Sequence, residues 1–149
     1  MASHLRRQIR EGLTTAITGL STTGARVFTS RVYPLEVSDL PGLLVTSQSE
    51  IVDADSYGVP RPLQRRLRLE VRAIAQAAAD LDDTLDQICK EVEIALAMPC
   101  AALAGLCKSI TLLGTDIGMS DGAEQPRGSA AMAFEVYYVA AENAPDVAL

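Results

Sequence analysis

At 149 residues and a formal net charge of −6, the chain is expected to form one domain over 1–149, with 142–149 as a flexible tail. Its hydrophobic content of 48% can fill a core, but aromatics make up only 4% and tryptophan is absent, so that core is expected to be aliphatic. Few aromatics leave few stacking platforms for carbohydrate or single-stranded nucleic acid, and a sequence pI near 4.7 runs against the basic footprint of a nucleic-acid binder.

The spacing of Leu5, Ile9, Leu13, Ile17 and Leu20 predicts an amphipathic helix over 3–20, with Ser3 as N-cap. The charged opening MASHLRRQIREGL holds no apolar run, and nowhere does the chain reach the roughly 20 apolar residues of a spanning helix, so a soluble protein made in the cytoplasm is expected. STTG at 21–24 reads as a turn. ARVFTSRVY alternates as a strand does and stops at Pro34. PGLLVTS, 41–47, is a short apolar strand expected inside the sheet. SQSEIVDADSYGVPRP, 47–62, reads as a long polar connection carrying Asp53, Asp55 and Tyr57, and connections of that length are often functional.

RPLQRRLRLEVRA, 61–73, is the feature that stands out. Five of the thirteen basic residues of an acidic chain fall here: Arg61, Arg65, Arg66, Arg68 and Arg72. Leu63, Leu67, Leu69, Val71 and Ala73 share one parity, while Arg66, Arg68, Glu70 and Arg72 share the other. A strand therefore puts the leucines on the core and the arginines on the opposite face, in a stripe about 20 Å long at ~3.4 Å per residue. Only Arg65 breaks the pattern.

Leu81, Leu85, Ile88, Val92 and Leu96 predict a second helix over 80–98, capped by Asp80 and stopped by Pro99; Asp82 and Asp83 suit the positive end of its dipole. SITLLGTDIG and SAAMAFEVYYVAA read as a closing hairpin around GMSDGAEQPRG. Both faces of the last strand are fairly apolar, which fits a central strand or one that meets another chain. The order is α-β-β-β-α-β-β. An α+β domain follows: two helices on one face of a mostly antiparallel or mixed sheet, the other face uncovered.

Candidate chemistry is sparse. His4, the single histidine, reads as a surface residue, so a Ser-His or Cys-His nucleophile has no partner. Cys89, Cys100 and Cys107 are odd in number and lack zinc spacing, which favours free thiols in a reducing compartment. Asp80, Asp82, Asp83 and Asp86 fit capping and dipole compensation better than a metal site, and no full calcium-loop pattern surrounds Asp53 and Asp55. No enzymatic activity and no cofactor or metal are expected. Residues 1–73 carry 10 basic and 7 acidic side chains, whereas 74–149 carry 3 and 12. If these halves lie on different faces, one copy can dock on the next, and such a contact closes into a ring if the rotation permits. Arginine's planar fork suits that contact, and the candidate interface is Arg61, Arg66, Arg68, Arg72, Asp53, Asp55 and Tyr57.

The stretch HLRRQIREGLTTAITGLSTTGARVFTSRVYPLEVSDLPGLLVTS, the segment RRLRLEVRAIAQAAADLDDTLDQICKEVEIAL and the strands SITLLGTDI and AMAFEVYYVAAEN resemble the tail terminator, or tail-completion, proteins among the minor tail proteins of long-tailed bacteriophages. The resemblance spans nearly the whole chain, through structural rather than catalytic motifs. It implies a two-helix, mixed-sheet domain forming a hexameric ring at the head-proximal end of the tail in the virion. Such a ring stops polymerisation of the tail tube protein and offers a surface to neck or head-completion proteins, with no membrane partner and no direct nucleic-acid recognition. The alternative readings are a head–tail joining (neck or connector) protein and, more remotely, a small metal-dependent hydrolase or a nucleic-acid-binding module.

Overall fold

The computed structural model describes residues 2–29, 35–54, 57–77, 79–97, 103–120 and 126–149. Helix α1 (Leu5–Ala16) buries Leu5, Ile9 and Leu13 completely, and Ile17 extends the same stripe just past its end. The helix is shorter than the expected 3–20. Thr14, Thr15 and Thr18 turn their hydroxyls back onto the carbonyls four residues earlier, and Gly19 takes a φ of +89° that reverses the chain. Its N-cap is His4 rather than Ser3: His4 has the extended backbone of a cap, and its Nδ1 accepts the Arg6 N–H at 3.1 Å. Ser3 instead presents its backbone carbonyl to Gln8 Nε2.

Strand β1 (Val27–Thr29) runs parallel to β2 (Gly42–Asp53), and a short 3-10 turn, Val37–Asp39, lies between them. Arg26 fastens this corner, its Nε on the Pro41 carbonyl and its Nη2 on that of Thr22. β2 is much longer than the apolar run 41–47. Its polar half pairs with β3 (Pro62–Gln76) as far as Asp53 opposite Gln64, so the expected 47–62 connection shrinks to residues 54–61. Ladder hydrogen bonds do not depend on side-chain polarity, and a bulge between Ser47 and Ser49 interrupts the alternation that a strand would otherwise show.

Helix α2 (Leu81–Ala97) buries Leu81, Leu85, Ile88, Val92 and Leu96 as the spacing predicts. Asp80 precedes it at φ +60°, and its carbonyl accepts the Thr84 N–H at 2.9 Å. Pro99, Pro34, Cys100 and the tip of the final hairpin lie outside the described residues. Glu91 ties α2 to the turn after α1, accepting the Thr22 N–H at 2.9 Å and its hydroxyl at 2.5 Å. Partial burial pushes the Glu91 carboxyl up, but the hydrogen bonds from Thr22, Gln87 and Ser21 outweigh it and hold the group below its ordinary value.

Strands β4 (Ser109–Ser120) and β5 (Arg127–Ala141) pair antiparallel, with a second bulge between Leu112 and Gly114. The sheet order is β1-β2-β3-β5-β4, mixed, among the described residues, through the parallel β1–β2 pair. β5 is thus interior, as its two apolar faces suggest. Along β3 and β5 the buried residues alternate strictly: Leu67, Leu69, Val71 and Ala73 oppose Val136, Phe134, Met132 and Ala130 beneath the helices. Two helices on one face of a five-stranded mixed sheet, in the order α-β-β-β-α-β-β, is the expected α+β fold.

The C-terminal residues fold back over the body. Ala148 bridges to Ala140, and the Leu149 N–H donates to the Val139 carbonyl. The Pro145 carbonyl takes the Leu5 N–H and the Asp146 carbonyl takes Gln8 Nε2, each at 2.9 Å, so the tail satisfies donors at the start of α1.

Candidate assembly interface

Strand parity places Arg66, Arg68 and Arg72 on the face away from both helices, and all three are exposed. Register defines their neighbours across the strands. Arg66 lies between Ile51 and Tyr137, Arg68 between Ser49 and Glu135, Glu70 between Thr46 and Ala133, and Arg72 between Leu44 and Ala131. Arg72 Nη2 meets Glu70 Oε1 at 3.0 Å, and Gln48 Nε2 donates to Glu70 Oε2 at 3.1 Å. Among the described residues Arg66 and Arg68 form no ion pair, so two guanidinium forks stand open on a strand-stiffened surface.

The other expected interface residues are placed variously. Asp53 ends β2 on the arginine face, opposite Gln64 and one row beyond Arg66. Tyr57 is fully exposed midway along the β2–β3 connection, two residues before the almost equally bare Val59. Asp55 lies outside the described residues. Arg61 stands apart from the stripe: its backbone N–H and its guanidinium both engage Glu142, the latter at 3.2 Å. The Arg61 N–H above all, with the guanidinium, holds the Glu142 carboxyl below its ordinary range.

Arg65, the residue out of pattern, points to the core face. Its Nη1 meets Glu50 Oε1 at 2.9 Å, and both side chains are nearly buried, at 11% and 6% exposure. The Tyr138 hydroxyl, on the neighbouring strand directly opposite Arg65, donates to the other Glu50 oxygen. Burial first, then Glu50, pushes the Tyr138 phenol well above its ordinary value, so it remains a donor. Sequence reasoning missed this group because Glu50 was assigned to a loop. The bulge before Ser49 is what turns Glu50 to the core side.

On the opposite layer, α2 shows Asp82, Asp83, Asp86 and Glu93 to solvent, with Lys90 the one basic residue among them. The arginine stripe and this acidic helix surface thus occupy opposite sides of a two-layer domain. Cys89, half-buried on α2, has its thiol pushed up by burial and by Glu93 and Asp86, which suits an unreactive thiol. Among the described residues no three His, Cys, Asp or Glu side chains gather as a metal-binding group.

No family model matches the chain, and no curated protein matches it. Among solved structures, it is similar to a chain of the virion of a native gene transfer agent particle, at 18% identity, covering 90% of this chain and 92% of that one with a TM-score of 0.42.

Proposed function

We propose that this chain is a structural virion protein of the tail terminator type, capping the head-proximal end of a phage tail tube as a ring and offering its far side to the neck. The observation that carries the reading is the sheet face away from the helices, on which Arg66 and Arg68 stand without ion partners among the described residues. A partner surface bearing carboxylates completes them, and arginine on a rigid strand meets such a surface with little loss of side-chain freedom. The sequence resemblance through RRLRLEV and DLDDTLD supports the same reading.

Changing Arg66→Glu and Arg68→Glu together reverses the open charges. Both side chains are exposed, so the fold should lose no more than about 1 kcal/mol, chiefly because the substitution at position 68 sets a carboxylate opposite Glu135 in place of a guanidinium. A phage carrying the double variant should produce overlong, headless tails by negative-stain electron microscopy, as should a phage lacking the chain. Normal-length tails that fail to join heads when the chain is missing would assign it to the neck instead.

A further inference from the structure

We infer that copies of this chain join edge to edge, the outer edge of β4 in one copy pairing with the outer edge of β2 in the next. β4 closes one side of the sheet, and among the described residues nothing pairs with its far edge. It runs from Ser109 to Ser120 with a single charged residue, Asp116, and no proline. Leu112, Leu113, Ile117 and Met119 are 36%, 46%, 60% and 50% exposed. Proteins that keep such an edge solvent-exposed shorten it, place lysine or proline on it, or cover it; a long apolar edge is a template for another strand.

The other side of the sheet supplies that strand. β1 pairs with β2 only from Leu43 to Val45. From Thr46 to Asp53 the outer edge of β2 has no partner among the described residues, and Ile51 and Val52 are 60% and 44% exposed, one on each face of the sheet. Direction agrees as well. Three antiparallel steps separate β2 from β4, so the two run in opposite senses. A neighbour rotated about an axis roughly along the strands therefore meets β4 with β2 antiparallel, as most of this sheet already pairs. A two-fold contact of β4 with its own copy would bury one edge and leave Ile51 and Val52 bare. The head-to-tail contact covers both edges and repeats, which is the condition for a ring.

The inference deepens the proposed function by assigning self-contact to the sheet edges, leaving the arginine face for a different protein. Its test is separate from the tail-length test, because it uses purified chain alone. By sedimentation velocity the unaltered chain should form species larger than a dimer. Ile117→Lys and Ile51→Lys should each be monomeric with unchanged circular dichroism. An equal mixture of the two should form a dimer and stop there, since it retains one working β4 edge and one working β2 edge. A monomeric unaltered chain, variants that assemble as it does, or an Ile51→Lys protein that dimerises by itself would each overturn the inference. If the edges pair as described while phage lacking the chain make tails of normal length, the edge contact stands and the terminator reading falls.

Discussion

His4, the chain's one histidine, caps α1 through an unprotonated Nδ1. Burial first, and then Arg6 and Arg65, hold its pKa below the ordinary 6.5. The folded value thus lies beneath the unfolded one, so the stability it contributes is present above about pH 6.5 and is lost as pH falls through the folded value. His4→Asn retains a capping side chain that does not titrate. Between pH 7 and pH 5 the melting temperature of the unaltered chain should fall relative to that variant, by the equivalent of about 1 kcal/mol, the usual worth of a cap. Glu50 is the costlier residue. Glu50→Ala leaves Arg65 charged, nearly buried and unpaired, and removes the acceptor of the Tyr138 hydroxyl, so urea unfolding should show a loss of about 3–5 kcal/mol. Neither role was legible from sequence. A cap depends on where the helix starts to within one residue, and the Arg65 partner depends on a bulge that periodicity cannot place. That Arg65 breaks the parity was visible; what it breaks the parity for was not.

The helices and the interior strands were the most legible elements. Period 3.6 in Leu5–Ile17 and Leu81–Leu96, and period two in Leu67–Ala73, each correspond to a buried stripe, because burial against one partner layer is what imposes those periods. β2 was legible only in its apolar half. Its polar half is strand because β3 holds it, a tertiary cause with no local signature. The docking of α2 on β5 depends on closeness at Gly128, where an added Cβ would lie 2.9 Å from a Leu85 methyl and 3.1 Å from one of Leu81. Gly128→Ala should therefore make those side chains shift or lift the first turns of α2, costing about 1–3 kcal/mol in chemical denaturation. Trimming Leu85 to valine in the same chain should recover part of that loss, which a backbone effect of glycine replacement would not allow.

For the molecule as a whole, the charge division seen along the sequence becomes a division between layers at its two strongest points, the arginine stripe of β3 and the acidic surface of α2. α1 departs from it, since Arg6 and Arg7 are exposed in the helix layer. Strand order was the part that sequence could not supply. Nothing in SITLLGTDIG says that this strand ends the sheet rather than lying within it, and its low charge suits either place until β5 is found on one side only. The stripe has a consequence at this scale: contacts made through Arg66 and Arg68 weaken as salt screens them, whereas an edge contact made through Ile51, Ile117 and backbone hydrogen bonds does not. The fold-back of the C-terminal residues bears on how the chain is made. The bond from Gln8 to the Asp146 carbonyl joins groups 138 residues apart. During synthesis α1 is made before the carbonyls that receive Leu5 and Gln8, with all five strands translated in between. The donors at the start of α1 are therefore satisfied only after the whole sheet has been made, a closure of high sequence separation.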